Sequence, residues 1–266
     1  MSTVGHEAVD IVLQSTYPNL PDIAGFADRF HRSFQVDVFT AGPPRQLAYG
    51  EYDHGQDALT ESLTKQGVWE GQESTLAVDI LASTPGVVLD FGAHIGWYTI
   101  LAGLFGQHPV IAYEPDAQNV ELLRLNADRH GVKVDYQPGV DEYFSLSLDE
   151  DVALLKCDIE GYDCYAIGGC SSLFQSHRIR YALVEVSPIF TADGRSPCDY
   201  VAMVGALLGH GYSAYRIPPK GWTHNLEYRE RPLETLKAHC QLGSNWAEVV
   251  ANCRQDNFVF IRPEDL

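Results

Sequence analysis

Acidic side chains follow several apolar runs of this sequence, at positions where buried strands are expected to end. Asp90 follows VVL, Glu114 follows VIAY, and Asp158 follows ALLKC, with Glu160 two residues further on. Ligands of open α/β sheets bind outside the carboxyl ends of the strands, so we expect these acids to face one crevice. Carboxylates in a crevice can accept hydrogen bonds from hydroxyl groups, take up a proton or bind Mg²⁺.

A glycine-containing turn, DFGAHIG, follows the first of these strands and leads into an apolar helix. Gly92 and Gly96 let the backbone bend and lie close to a ligand, and the helix start offers free amide groups. The spacing D-x-G-x-x-x-G is a poor match to the GxGxxG pattern that cradles a pyrophosphate, which argues against an NAD-dependent oxidoreductase. Glu114, roughly twenty residues later, stands where an acid accepts hydrogen bonds from ribose hydroxyls. The pattern predicts a nucleoside ligand without a pyrophosphate.

Three blocks in this order, VVLDFGAHIGWYT, AYEPDAQNVELLRLNADRHG and LLKCDIEGYD, resemble class I S-adenosylmethionine-dependent methyltransferases, and within them the FkbM family. The resemblance covers roughly residues 69–266, and NFVFIRPE near the end is also similar. It implies a Rossmann-like α/β fold with a seven-stranded, mostly parallel sheet, an antiparallel last strand and helices on both faces. It also implies S-adenosylmethionine as the cofactor. His94 stands where the family usually has asparagine.

The cofactor-binding residues that we predict lie in the three blocks, at the junction before them and in the turn after the third expected strand. They are Glu70, Asp90, Gly92, Ala93, His94, Gly96, Glu114, Pro115, Asn119, Val140 and Asp141. The resemblance places Trp69 and Glu70 near the cofactor, and the alternative is that Trp69 packs while Glu70 caps a helix. Val140 would offer the adenine an apolar face and Asp141 an acceptor for its amino group.

The candidate catalytic residues are Asp158, Glu160 and Glu185, which topology places at strand ends. Methyl transfer to oxygen needs alignment of the acceptor, exclusion of water and removal of a proton. Asp158 is also the residue that would bind Mg²⁺, if a metal takes part. The alternative is that these acids are satisfied by nearby helix starts. For His94, packing beside the ligand is favoured over a role as the base.

Composition restricts the partners and the compartment. The formal net charge of −18, with only 18 Lys and Arg residues, argues against nucleic-acid and anionic-membrane partners. The six cysteines show neither a CxxC pair nor zinc spacing. The first residues do not have the pattern of a secretion signal, and no apolar run is long enough to span a membrane. We therefore expect a soluble, cytoplasmic protein with reduced thiols; its oligomeric state is open.

The chain is expected to comprise an N-terminal extension or cap over residues 1–55, containing a possible hairpin of SFQVDVFT and RQLAYGEY, and a methyltransferase domain over residues 56–266. DALTESLTKQG and EGQESTLAVDILAS are predicted to be helices. Aromatic and histidine side chains in the second half could approach the site or pack in the core. These are Trp222, Trp246, His177, His210, His224 and His239.

The predicted function is O-methylation of a hydroxyl on a small molecule, a sugar or a secondary metabolite, a class of acceptor that the resemblance implies. One alternative is N-methylation of a peptide or another amine. Another, from a different class of protein, is a cofactor-binding protein without catalytic activity. A nucleobase acceptor is disfavoured, because no DPPY-like or NPPY-like tetrapeptide follows a strand.

Overall fold

The computed structural model describes residues 32–38, 45–51, 59, 69–217 and 231–266. Near the N-terminus, strands β1 (Arg32–Val38) and β2 (Arg45–Glu51) pair antiparallel. They cover most of the two segments predicted to form a hairpin; residues 39, 40 and 52 of those segments lie outside the described residues. The boundary predicted at residue 55 stays a prediction.

Seven further strands form one sheet. They are β3 (Val87–Phe91), β4 (Val110–Tyr113), β5 (Val134–Gln137), β6 (Val152–Cys157), β7 (Ile179–Val186), β8 (Ser213–Arg216) and β9 (Asp256–Ile261). Their order is β5-β4-β3-β6-β7-β9-β8. The first five strands in that order run parallel, whereas β9 runs antiparallel to both of its neighbours. The predicted seven-stranded sheet with an antiparallel last strand is confirmed.

Helices connect and flank these strands. Those in the described part of the chain are α1 (Gly71–Ser83), α2 (Trp97–Gly106), α3 (Ala117–His130), α4 (Asp163–Gly169), α5 (Ser171–Gln175), α6 (Pro188–Ala192), α7 (Tyr200–Gly209), α8 (Pro232–His239) and α9 (Trp246–Asn252). A 3₁₀ turn, Pro263–Asp265, ends the chain. The helix predicted over EGQESTLAVDILAS is α1. That over DALTESLTKQG lies outside the described residues, apart from Leu59.

Two apolar cores cover the two faces of the sheet. Because side chains alternate along a strand, Val88 and Leu154 point into the core that contains α1, α2 and α3. Their neighbours Leu89 and Leu155 point into the core that contains α4, α5, α7 and α9. All six residues of β6 are buried. The prediction of helices on both faces is confirmed.

Cys164 and Cys198 form a disulfide between α4 and the segment that precedes α7. The expectation of reduced thiols is therefore wrong for this pair. The two residues are 34 positions apart, and the fold rather than a short spacing motif brings them together. The other cysteines are free; Cys157, Cys170 and Cys253 are buried and Cys240 is half-buried.

Within the described ranges, none of the helices has the length and apolar character needed to cross a membrane.

Candidate active site

A cavity of about 460 Å³ opens at the carboxyl ends of β3, β4, β5 and β6. Its size falls in the range of small-molecule sites, which are about 300–1,000 Å³. The predicted site residues that line it are Gly92, Ala93, His94, Glu114, Pro115, Asn119, Val140, Asp158 and Glu160. The remaining lining residues are Leu59, Trp69, Trp97, Tyr98, Tyr113, Gly139, Lys156, Ile159 and Tyr162. The three sequence blocks therefore meet at one cavity.

The turn after β3 requires glycine at position 92. Gly92 has a φ of +80°, and a Cβ atom there would lie 1.9 Å from the carbonyl oxygen of Asp158. The amides of Gly92 and Ala93 both donate to the carbonyl oxygen of Tyr113, at 3.0 and 3.1 Å. The turn is thereby held against the ends of β4 and β6, where a side chain at position 92 would not fit.

Gly96 does not line the cavity. It precedes α2 with a φ of +96°, and a Cβ atom there would lie 2.5 Å from Cδ1 of Leu123 on α3. The residue thus allows α2 and α3 to pack closely. Its predicted contact with a cofactor stays a prediction.

Glu114 lines the cavity at the end of β4, and three donors of the chain fix its carboxylate. The amide of His94 donates to Oε2 at 2.9 Å. The amide of Asp116 and the Nδ2 group of Asn119 donate to Oε1 at 3.0 and 3.2 Å. A carboxylate has about four lone-pair sites, so one acceptor site is left for a ligand.

Asp90 does not line the cavity. Its side chain is 1% exposed and lies on the α2 face of the sheet, where Oδ2 accepts a hydrogen bond from Oγ1 of Thr99 at 2.6 Å. Burial raises the pKa of Asp90 to about 6. The acid predicted to share the crevice with Glu114 therefore joins β3 to the first turn of α2 instead.

Glu70 precedes α1 in a left-handed conformation, with a φ of 44° and no side-chain capping bond. Its Oε2 atom accepts a hydrogen bond from the hydroxyl of Tyr98 at 2.6 Å and lies 3.5 Å from Nζ of Lys156. Asn257 on β9 donates to Oε1 at 3.4 Å. Glu70 is not a lining residue, although two of its partners, Tyr98 and Lys156, line the cavity.

Lys156 on β6 is the residue of this site that the sequence analysis missed. Its side chain is 3% exposed, and Nζ lies 3.2 Å from Oδ2 of Asp158 and 5.1 Å from the ring centre of Tyr98. Burial alone would lower the pKa of Lys156, but the carboxylates of Asp158 and Glu70 outweigh it and raise the pKa above its ordinary value. A lysine within the apolar run ALLKC was the available signal, because buried lysines are almost always paired.

The loop after β6 presents two acids to the cavity. Lys156 holds the Asp158 carboxylate from below. Glu160 has a left-handed backbone, with a φ of 54°, and Gly161 follows it with a φ of +98°. Burial raises the pKa of Glu160, and the neighbouring charges of Asp158 and Asp163 raise it further. The loop thus presents a carboxylate anchored by Lys156 and a glutamate that takes up a proton more readily than an ordinary glutamate.

Glu185 does not line the cavity. The side chain is 5% exposed, and Oε1 accepts a hydrogen bond from Nε2 of Gln255 at 2.5 Å. Oε2 is buried and has no hydrogen-bond partner among the described residues. Burial, followed by the charge of Asp158, raises the pKa of Glu185 to about 8.

The remaining candidates divide between the cavity and other places. His94 lines the cavity with a φ of 50°, and its Nδ1 atom is buried without a partner in the described part of the chain. Asp141 is exposed, accepts a hydrogen bond from the amide of Tyr143 and does not line the cavity. Across the residues that the structure describes, no three or more His, Cys, Asp or Glu side chains are grouped so that they could hold a metal ion. Asp158 therefore belongs to no such group.

The aromatic and histidine candidates of the second half lie elsewhere. Trp246 packs beside the core on the α7 face. His177 contacts Glu264 and the carbonyl oxygen of His210. None of these, nor His239, lines the cavity. Trp222 and His224 lie outside the described residues.

No protein-family model matches this sequence, and no curated protein matches it. Among solved structures, it is similar to a TehB-like S-adenosylmethionine-dependent methyltransferase from Corynebacterium glutamicum, with 13% identity and a TM-score of 0.46 over 76% of this chain and 94% of the other. It is also similar to a precorrin-6y C5,15-methyltransferase from Geobacter metallireducens, with 15% identity and a TM-score of 0.44 over 79% and 94%.

A third solved structure, a geranyl diphosphate methyltransferase in complex with geranyl diphosphate and sinefungin, has 14% identity and a TM-score of 0.45 over 90% of this chain and 91% of the other. Likenesses this distant carry no argument about function.

Proposed function

We propose that this protein binds S-adenosylmethionine and transfers its methyl group to a hydroxyl of a small molecule. The supporting observation is the order of groups along the cavity. Val140 follows β5, Glu114 ends β4, Gly92 follows β3 and Asp158 follows β6. Adjacent strands lie about 4.8 Å apart, so β5 and β6 are about 14 Å apart, enough for a nucleoside with an amino-acid chain.

The residues present fit this cofactor. Glu114 has an acceptor site left for a ribose hydroxyl, and Val140 and Pro115 offer apolar surface to a base. The Gly92 turn lines the cavity beside the end of β6, so its backbone is available to the amino-acid part.

The chemistry assigned to the chain is alignment and proton removal. When bound, S-adenosylmethionine supplies a methyl group on a good leaving group. Asp158, held by Lys156, orients the acceptor hydroxyl by a hydrogen bond. Glu160 accepts the hydroxyl proton, because burial and the charges of Asp158 and Asp163 raise its pKa and make it a stronger base than an ordinary glutamate. Hydroxyl acceptors, such as those of a sugar or secondary metabolite, follow from the resemblance to the FkbM family.

The binding test compares wild type, Glu114→Ala and the surface control Glu248→Ala by isothermal titration calorimetry with S-adenosylhomocysteine. Hydrogen bonds to charged groups contribute roughly 1.5–3 kcal/mol, so Glu114→Ala is expected to weaken binding by about 10-fold to 100-fold. Glu248→Ala should bind as wild type does. Equal affinity of Glu114→Ala and wild type, or no binding by wild type, would falsify the cofactor site.

The activity test uses S-adenosylmethionine with a labelled methyl group and a metabolite extract. A methylated product whose label resists amine-specific cleavage supports the hydroxyl acceptor, and label on nitrogen supports the amine alternative. Glu160→Gln is expected to lower kcat by about 100-fold, a typical effect for loss of a general base. Tight binding of the cofactor without any labelled product would instead indicate a binding protein.

A further inference from the structure

We propose that Tyr162 is the surface on which the acceptor rests, and that the acceptor contains a ring with an apolar face that bears the hydroxyl. This inference rests on the proposed function and names its substrate class. Among the described residues, the large hydrophobic side chains that remain exposed are Tyr143, Tyr162 and Leu266, at 84%, 46% and 60%. Only Tyr162 of these three lines the cavity. An aromatic ring left half in solvent at the edge of a cavity offers a contact surface for a ligand.

The two residues before Tyr162 have an unusual backbone conformation. Glu160 and Gly161 are both left-handed, with φ values of 54° and +98°, and Tyr162 begins the turn into α4. A left-handed glutamate is an uncommon conformation, and such conformations concentrate at ligand sites. The Tyr162 ring lies against that of Tyr165, with ring centres 5.9 Å apart. This contact covers part of the ring, while the rest remains exposed.

The loop that carries Tyr162 is held by contacts with the segment between α6 and α7. The hydroxyl of Ser196 donates a buried hydrogen bond to the carbonyl oxygen of Gly161. A Cβ atom at Gly161 would lie 3.0 Å from Cβ of Ser196 and 3.2 Å from Cδ2 of Phe190, so the segments are in close contact. The Cys164–Cys198 disulfide joins the same two segments covalently. A preordered loop loses little conformational entropy when a ligand binds.

The position of Tyr162 matches the acceptor rather than the nucleoside. Tyr162 follows β6, at the opposite end of the cavity from Val140 and Pro115, and shares its loop with Asp158 and Glu160. A ring packed on Tyr162 therefore has two carboxylates beside its edge, which favour hydroxyl donors and disfavour an anionic ring. Aromatic rings and sugar rings both have the flat apolar face that this surface requires.

The test measures binding of three probes to the protein saturated with S-adenosylhomocysteine, by ligand-observed NMR titration. Catechol presents an aromatic ring, methyl β-D-glucopyranoside presents a sugar ring, and glycerol has hydroxyls without a ring. The variants are Tyr162→Ala, Tyr162→Leu and Tyr162→Phe, with Tyr143→Ala as the control at an exposed tyrosine outside the cavity. Thermal unfolding of each variant verifies that it is folded, and Tyr162→Leu keeps apolar bulk without a ring.

At least one ring probe is expected to bind wild type more tightly than glycerol does. Tyr162→Ala and Tyr162→Leu should weaken that binding by roughly 2-fold to 10-fold, because an aromatic contact contributes roughly 0.5–1.5 kcal/mol beyond its buried area. Tyr162→Phe and Tyr143→Ala should bind as wild type does, and the affinity for S-adenosylhomocysteine should be unchanged in all four. The ring probe that shows this pattern identifies the acceptor as aromatic or saccharide.

Two results overturn the proposal while leaving the cofactor site intact. One is a normal affinity for S-adenosylhomocysteine with no preference of wild type for either ring probe over glycerol. The other is equal binding of the ring probe by wild type and Tyr162→Leu. Loss of S-adenosylhomocysteine binding by wild type would instead contradict the proposed function itself, and the acceptor surface with it.

Discussion

Ionisable side chains at the wall of the cavity are grouped around the buried cation of Lys156. Lys156 lies within 4 Å of Glu70 and Asp158, and the hydroxyl of Tyr98 donates to Glu70. Removing one partner of a buried ion pair costs about 3–5 kcal/mol, because the other charge stays buried without compensation. Lys156 therefore links α1, α2 and β6 at the base of the cavity, as well as holding Asp158.

Glu185 makes stability depend on pH. Its pKa is about 8 in the folded chain, against an ordinary value of 4.5, so between these values the folded chain binds a proton that the unfolded chain has lost. Stability from this group is complete below about pH 4.5 and is lost as the pH rises through about 8. Glu185→Gln cannot ionise and keeps the acceptor atom for Gln255. The variant is expected to be more stable than wild type at pH 8 by roughly 1–3 kcal/mol, and to show a smaller difference at pH 5.

Urea unfolding from pH 5 to pH 8 measures this effect, with the exposed Glu248→Gln as the control. Asp90, whose pKa is raised to about 6, changes stability in the same direction in all three proteins. The difference between wild type and Glu185→Gln therefore isolates Glu185. Parallel curves for these two proteins over the whole range would show that Glu185 is ionised in the folded chain.

Among individual acids, the sequence predicted the position of those that follow a strand better than the position of those within a strand. Glu114 and Asp158 follow apolar runs and line the cavity, as expected. Asp90 and Glu185 lie within β3 and β7, where the face that a side chain occupies depends on the strand register. A sequence without neighbouring strands does not contain that register. Lys156 was missed although its place in the apolar run ALLKC was a signal, and its partner Glu70 comes from a distant part of the sequence.

Among the structural elements, the turn between β3 and α2 restricts the choice of residue most strongly, because it needs glycine at position 92. Gly92→Ala would place a methyl group 1.9 Å from the carbonyl oxygen of Asp158, so the turn must move away from β6. Gly131 ends α3 with a φ of +66° and has open space around a Cβ atom. Gly131→Ala therefore shares the left-handed backbone cost, about 1–2 kcal/mol, but not the clash.

Both variants are expected to lose stability, with Gly92→Ala losing more. Only Gly92→Ala should also lose affinity for S-adenosylhomocysteine, by more than about 10-fold, because its turn forms part of the cavity wall. Thermal unfolding and calorimetric titration measure the two effects. Unchanged affinity in a folded Gly92→Ala variant would contradict the placement of the ligand against this turn.

Elements with strong local signals were predicted well. Asp116 caps α3 by accepting hydrogen bonds from the amides of Gln118 and Asn119, and Gly131 ends the helix, so both ends of α3 carry residues that mark helix ends in a sequence. The sheet topology came from the family resemblance, because local pattern does not specify strand order. The helix that begins at Gly71 has only a left-handed Glu70 before it, without a side-chain cap, so its start rests on tertiary contacts.

For the molecule as a whole, the disulfide closes a ring of chain that contains α4, α5, β7 and α6. A crosslink of this length restricts the unfolded chain, so its reduction is expected to lower the free energy of unfolding by about 2–4 kcal/mol. Denaturant unfolding with and without dithiothreitol measures the loss. The control is the Cys164→Ser/Cys198→Ser double variant, which should be as stable as reduced wild type. Its free energy of unfolding should be the same with and without dithiothreitol. Detection of six free thiols in unreduced, native protein would contradict the bond.

The sequence could not reveal this bond. Six cysteines without close spacing are compatible with many pairings and with none, and the pair forms only because the loop after α6 returns to α4. The two-core architecture, in contrast, is visible in the apolar runs of β3, β6 and β7, which are too continuous for a sheet with one face in water.

Strand β6 has a further consequence for how the molecule opens. All six of its residues are buried, and its backbone is hydrogen-bonded to β3 on one side and β7 on the other. Its amide protons can reach solvent deuterium only when both covering layers separate, a transition that exposes most of the sheet at once. Among the described residues, the slowest-exchanging amide hydrogens are therefore expected in the strand that precedes Asp158, so the loop that carries Asp158 and Glu160 follows directly from the most protected backbone.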